Sequence, residues 1–229
     1  MKLAIMQPYF FPYIGYFQLI NAVDEFVIYD DVNFIKQGYI NKNNILGNGK
    51  SQSFTLELKG ASSNSLINEI EIGNNSKKIL KTIKQNYSKA PFFKDVMPLV
   101  EDIFNYPEKN LARYVGSSLQ KVTQYLQINT IFYYSSELEK NCKLKAQDKV
   151  INICENLNAN HYVNAIGGQE LYCKDTFEEN NIKLNFIKTN LQPYKQFEHE
   201  FIPYLSIIDV MMFNDINTIN QYLQNYELI

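Results

Sequence analysis

Arginine is all but missing from this chain. Lys and Arg together number 22 in 229 residues, and Arg113 is the single arginine. Forked recognition of a phosphate or carboxylate therefore falls to Arg113, and any other anion contact to lysine ammonium or backbone N–H groups. Tryptophan is absent and histidine occurs twice, as His161 and His199, so a histidine-rich metal site is not expected. The three cysteines, Cys142, Cys154 and Cys173, match no zinc spacing and no Cys-x-x-Cys. Their odd number favours reduced thiols. Met1-Lys2 runs straight into a strand-like segment rather than a leader, which adds to a cytoplasmic address. No apolar run approaches the ~18 residues of a membrane span. Positive charge is not in surplus either. The formal net charge is −2, which gives nucleic acid no footprint.

What is present suits an ordinary folded core. Apolar residues make up 45% of the chain and charged residues 20%. Lys2–Met6 is a short apolar run stopped by Gln7-Pro8 and reads as a buried parallel strand. An aromatic loop follows, punctuated by Pro12 and Gly15. A short helix over Phe17–Val23 and a strand over Glu25–Tyr29 complete a βαβ unit. Gly47-Asn48-Gly49 reads as a hairpin turn into an alternating strand, Gln52–Leu58, and Ile67–Ile72 as a further strand. From about Ser76 the apolar spacing becomes helical. Leu111–Leu126 is a longer helix, and strands and helices then alternate: Thr130–Tyr134, Ala146–Leu157, His161–Val163, a helix near Leu171–Glu179, Lys183–Ile187, and helices over Leu205–Met212 and Asn217–Tyr226. The expected fold is one α/β domain over 1–229, with a mostly parallel Rossmann-like sheet, flanking helices and a helical insertion at about 76–128. There is no internal repeat and no low-complexity linker.

Open parallel sheets bind ligands beyond the carboxyl ends of their strands. Four polar clusters fall there: Gln7 with Tyr9, Asp30 with Asp31, Ser135 with Ser136, and Asn164 with Gly167-Gly168. Tyr13, Gly15 and Tyr16 stand before a helix start, where glycine lets backbone approach a ligand and N–H groups favour an anion. Their spacing parallels the His-x-Gly-His loop of nucleotidyltransferases with tyrosine for histidine, a neutral group that cannot stabilise phosphate charge as imidazolium does. Phe10, Phe11 and Phe17 read as core packing. Asp30 and Asp31 suit a general base or a hydroxyl ligand, with Lys36 and Lys42 the nearest cations in sequence; a strand-end turn is the bland alternative. Ser135-Ser136 also suits a cap, and His161 lacks an acid partner for a triad. Ser206 stands at a helix N-cap, with Asp209 in a capping-box position.

Met6-Gln7-Pro8-Tyr9-Phe10-Phe11-Pro12-Tyr13-Ile14-Gly15-Tyr16, then Tyr29-Asp30-Asp31-Val32-Asn33-Phe34 and Ile40-Asn41-Lys42-Asn43, resemble the WbqC-like family. Tyr87 to Phe93, Ser135-Ser136, Gly167-Gly168 with Tyr172, and Phe201-Ile202-Pro203 through Asp209 extend the likeness over nearly the whole chain. The resemblance implies a place in O-antigen or other surface-polysaccharide biosynthesis, without fixing a reaction. Lys42 stands where the family more often has arginine, so a phosphate there meets a point charge rather than a fork. The reading that joins residues and resemblance is a transferase acting on a nucleotide- or lipid-linked amino sugar, with acyl or aminoacyl transfer in view. Asp30 or Asp31 would serve as base. Gln7, Tyr9, Tyr13, Gly15, Tyr16, Lys36, Lys42, Asn43, Ser135, Ser136, Gly167 and Gly168 would hold a sugar or nucleotide-sugar substrate. A non-catalytic glycan-binding module and a nucleotidyltransferase-like enzyme are the alternatives. No metal is assigned, and cofactor and oligomeric state stay open.

Overall fold

A computed structural model describes residues 1–229. The chain opens with β1 (Lys2–Met6), α1 (Ile14–Asn21) and β2 (Glu25–Ile28). A long excursion follows: β3 (Lys42–Gly47), β4 (Lys50–Thr55), β5 (Leu58–Lys59), β6 (Glu71–Ile72), α2 (Ser76–Tyr87), α3 (Phe93–Phe104) and α4 (Leu111–Tyr125). The chain then returns through β7 (Ile131–Tyr134), α5 (Ala146–Asn156), β8 (His161–Ala165), α6 (Lys174–Glu179), β9 (Lys183–Thr189), α7 (Ile207–Phe213), α8 (Ile216–Leu223) and β10 (Tyr226–Leu228).

Six strands form the central sheet in the order β10-β9-β8-β1-β2-β7. All neighbours are parallel except β10, which runs antiparallel to β9. The chain builds outward from β1 to β2 and β7 on one side, then jumps to β8 and β9 on the other. This is the mostly parallel α/β sheet expected of the sequence. The direction reverses between β1 and β8, which opens a crevice beyond their carboxyl ends.

Both faces of the sheet are buried, as a parallel sheet requires. Leu3 and Ile5 of β1, Val27 of β2 and Leu184 and Phe186 of β9 pack under α5 and α6 with Val150, Cys154 and Phe177. Ala4, Phe26, Ile28 and Val163 alternate to the other face, in a larger core shared with α1, α2, α3, α4, α7 and α8. The hairpin β3–β4 closes on Asn48 and Gly49, both at positive φ, 50° and 70°. Two left-handed residues in a row give the turn twist that flanking strands need, and Asn-Gly supplies them at least steric cost.

Three expectations change. Ile67–Ile72 is not one strand: Ile67–Glu69 is a 3-10 turn, with the Glu69 carboxylate accepting the Leu66 N–H at 3.0 Å, and only Glu71–Ile72 extends. The helix near 171–179 divides into a 3-10 turn, Ile166–Leu171, and α6. The last helix stops at Leu223, and Tyr226–Leu228 adds to the free edge of β9, a pairing between segments that local periodicity does not encode. No helix is long and apolar enough to cross a membrane.

Candidate functional site

The loop after β1 sorts its aromatics by chemistry. Phe10 and Phe11, at 0% and 1% exposure, turn into the large core with Phe17. Tyr9, Tyr13 and Tyr16 turn to the crevice. The sorting is held by backbone bracing. The Phe10 N–H donates to the Tyr39 carbonyl at 3.1 Å, and the Pro12 carbonyl accepts from the Ile207 N–H at 2.8 Å. The Asn43 amide donates to the Phe10 and Phe11 carbonyls at 3.3 and 2.9 Å. Phe11 takes φ 45°, a left-handed conformation costly for a bulky side chain and kept only where the surroundings over-determine it.

Beyond the ends of β1 and β8 lies a cavity of about 610 Å³ lined by 20 residues. Its floor is Ile5, Met6 and Gln7 from β1 and its loop, with Asn164, Ala165, Gly167 and Gly168 from the end of β8. Seven tyrosines, Tyr9, Tyr13, Tyr16, Tyr29, Tyr39, Tyr172 and Tyr204, make its walls. No Asp, Glu, Lys, Arg or His lines it. Burial raises the phenol pKa of Tyr9 and Tyr16, and each is raised further by a tyrosine neighbour, Tyr39 and Tyr9 respectively. Tyr29 is raised by burial first, then by Asp31 and Tyr172. These phenols therefore stay protonated and neutral at physiological pH. The Tyr16 hydroxyl is committed to the Gln7 carbonyl at 2.7 Å. The Gln7 amide and the hydroxyls of Tyr9, Tyr13, Tyr39 and Tyr204 make no hydrogen bond within the chain, which leaves them free for a ligand.

The structure thus brings Gln7, Tyr9, Tyr13, Gly15, Tyr16, Asn43, Gly167 and Gly168 to one cavity. Asn43 spends its amide on the loop carbonyls rather than facing a ligand freely. Gly15 also differs from expectation. A Cβ at Gly15 would lie 2.4 Å from both Thr189 Oγ1 and the Tyr13 ring. The missing side chain makes room for the Tyr13 ring beside the first turn of α1. Gly168 likewise accommodates Asn164, whose Nδ2 would meet its Cβ at 2.7 Å, whereas Gly167 faces open space.

Asp30, Asp31, Ser135, Ser136, Lys36 and Lys42 do not line the cavity. Asp30 is 1% exposed, and its two oxygens accept from the Ser136 N–H at 2.9 Å and the Ser136 hydroxyl at 2.7 Å. It fixes the short turn after β7 to the end of β2. Asp31 pairs with Lys140 at 3.1 Å and Lys149 at 3.0 Å, not with Lys36 or Lys42. Burial pushes the Asp31 carboxyl up, but the Ser135 hydroxyl and the two ammonium groups outweigh it and hold it below the usual carboxylate range. Lys149 also donates to the Asp31 carbonyl at 3.1 Å and sits 5.0 Å from the centre of the Tyr29 ring, which ties this ion pair to the cavity wall. Lys36 is exposed and Lys42 half-buried in β3, beside the lining residues Ile35 and Asn43.

Sequence reasoning passed over Tyr29, Tyr39, Leu171 and Tyr204 as site residues, and Lys140 and Lys149 as partners of Asp31. Tyr29 had a usable signal, because it directly follows β2 at the carboxyl edge. The others come from loops whose meeting depends on strand order. Asp209 is a further buried carboxylate, outside the capping box expected of it. It accepts from Tyr87 and Tyr194 at 2.7 Å each and from Gln196 at 2.6 Å. Ser206 caps α7 alone, accepting from Ile208 N–H at 3.2 Å. No three His, Cys, Asp or Glu side chains gather as a metal-ligand set.

Strand order, a sheet buried on both faces and a cavity at the reversal define a doubly wound α/β protein whose uncharged crevice is walled by tyrosine. The chain belongs to the WbqC-like protein family, whose model matches residues 7–221. It is similar to the uncharacterized protein Rv1507c of Mycobacterium tuberculosis (strain ATCC 25618 / H37Rv), at 28% identity over 215 residues and 92% of each chain. No solved structure matches it.

Proposed function

We propose that the protein is a transferase of surface-glycan biosynthesis, and that the ring of a nucleotide- or lipid-linked amino sugar enters the switch-point cavity for acyl or aminoacyl transfer. The observation that carries this reading is the wall itself: seven phenol rings and the uncommitted Gln7 amide around about 610 Å³. Aromatic faces pack on the C–H faces of sugars, and neutral hydroxyl and amide groups exchange hydrogen bonds with sugar hydroxyls. The volume suits a ligand of drug size. Membership of the family, with its association with O-antigen gene sets, supplies the glycan context. In this reading Lys36 and Lys42 meet the phosphate of the carrier outside the cavity. Asp31, paired with Lys140 and Lys149 behind Tyr29 and outside the lining, fixes the Tyr29 wall against which the substrate sits, and Asp30 with Ser136 holds that edge in place.

A thermal-shift screen with nucleotide-sugars and free amino sugars, followed by mass spectrometry of mixtures with acyl donors, tests it. The expected result is a raised melting point with a sugar ligand and an acylated product from the wild type. Asp31→Asn, which loosens the Tyr29 wall, should lower both the thermal shift and the product. A screen in which no sugar ligand shifts the melting point sinks the proposal. One observation favours a second reading, a module that presents a glycan intermediate without changing it: no acid or base side chain lines the cavity. That reading predicts binding with no product from wild type and variant alike.

A further inference from the structure

The mouth of the cavity differs in kind from its interior. Nine large hydrophobic side chains are exposed in the whole chain, and four of them, Ile35, Tyr39, Leu171 and Tyr204, line this one cavity. Leu171 and Tyr204 are 69% and 66% exposed. They arrive from three separate stretches: the loop after β2, the turn after β8 and the segment before α7. Tyr204 is held there at φ 60°, a left-handed conformation that tyrosine adopts at a cost, with its ring 6.0 Å from that of Tyr13. Scattered apolar side chains on a surface need no explanation, but a cluster around one opening marks a contact.

The interior adds the second constraint. A phosphate buried there would meet no cation, because no charged side chain lines the cavity, and an unpaired buried charge is strongly disfavoured. The Tyr13 ring lies against Gly15 in the first turn of α1, the usual anion site of such a crevice. The occupant therefore needs an uncharged ring inside and an apolar group across the rim, with no charge between them. A sugar joined to its lipid through phosphate puts the charge at that point. An amide linkage does not.

On the reading that a sugar enters the cavity, we infer that the ligand is an N-acylated amino sugar whose acyl chain lies across Ile35, Leu171 and Tyr204. The chain length is then a specificity determinant read by the rim. Methyl glycosides of glucosamine carrying N-acyl chains from acetyl to hexanoyl test this by calorimetry against the full chain. Each methylene that reaches the rim should tighten binding, up to about fourfold when fully buried. In Ile35→Ser/Leu171→Ser the dependence on chain length should flatten. Both positions are exposed, so the fold has little reason to change.

Three results overturn the inference alone. The first is an affinity that is flat from acetyl to hexanoyl while the acetyl compound binds, which leaves the sugar reading standing and removes the rim. A second is chain-length dependence for N-acetylglucosamine alkyl glycosides but not for the N-acyl series, which moves the chain to the anomeric oxygen as in a lipid-linked sugar. The third is an unchanged dependence on chain length in Ile35→Ser/Leu171→Ser, which takes the chain off the rim. Failure of every glycoside to bind overturns both the inference and the proposed function.

Discussion

Replacing Gly15 by alanine puts two opposed effects on one atom. Gly15 lies in α1 with helical φ, where alanine is favoured over glycine by about 0.5–1 kcal/mol through backbone entropy. Against this, the new Cβ would lie 2.4 Å from Thr189 Oγ1 and from Tyr13 Cε2 and Cζ. Contacts that short force side chains or backbone to move, and overpacking of this kind costs roughly 1–3 kcal/mol. The clash wins, with a net loss of about 1–2 kcal/mol. For a chain of this length that is a fall in melting temperature of roughly 2–8 °C. The reasoning makes a sharper claim about sign. In a Tyr13→Ala/Thr189→Ala background both obstructing groups are gone, and the same Gly15→Ala change should become neutral or stabilising. Differential scanning calorimetry on the four proteins closes the double-mutant cycle. An equal loss in both backgrounds, or no loss in the wild type, refutes the packing account of Gly15 and restores a ligand-facing role for the open helix end.

The Asp31 carboxyl is held below its ordinary value of 3.8, so the folded protein binds that proton more weakly than the unfolded chain does. Its stabilisation is present above pH 3.8 and is lost as pH falls through the lower folded value. Circular dichroism during acid titration should show that loss in wild type and its absence in Asp31→Asn; identical acid limbs refute the Lys140–Asp31–Lys149 account. Tyr87→Phe removes a hydroxyl that accepts the Leu46 N–H at 2.8 Å and donates to Asp209 at 2.7 Å. The buried N–H left without a partner and the weakened carboxylate should together cost about 2–3 kcal/mol in urea unfolding, and a cost under about 0.5 kcal/mol refutes the link.

Much of the architecture was open to reading because its causes are local. Apolar runs of β1, β2 and β9, with Gln7-Pro8 ending the first, encode buried strands, and Asn48-Gly49 encodes a two-residue turn through its tolerance of positive φ. The division of labour between phenylalanine and tyrosine in the loop after β1 was partly legible too. Phe10 and Phe11 have no polar atom to satisfy and go inward, whereas Tyr9 and Tyr13 keep a hydroxyl at the crevice. The role of Gly15 was not, because the ring and the Thr189 hydroxyl that fill its empty side depend on how α1 sits beside the end of β9.

The partners of Asp31 show the same limit over a longer reach. Lys36 stands five residues away by number and Lys149 stands 118 away, yet Lys149 makes the contact. By itself the sequence determined the parallel strands β1, β2, β7, β8 and β9, the aromatic loop and the family. The tertiary structure alone decided which loops meet. The chain jumps from β7 to β8 across β2 and β1, and that jump brings Asn164, Gly167 and Leu171 opposite Gln7 and Tyr9. Local periodicity carries no information about strand order, which is set by how the whole core packs.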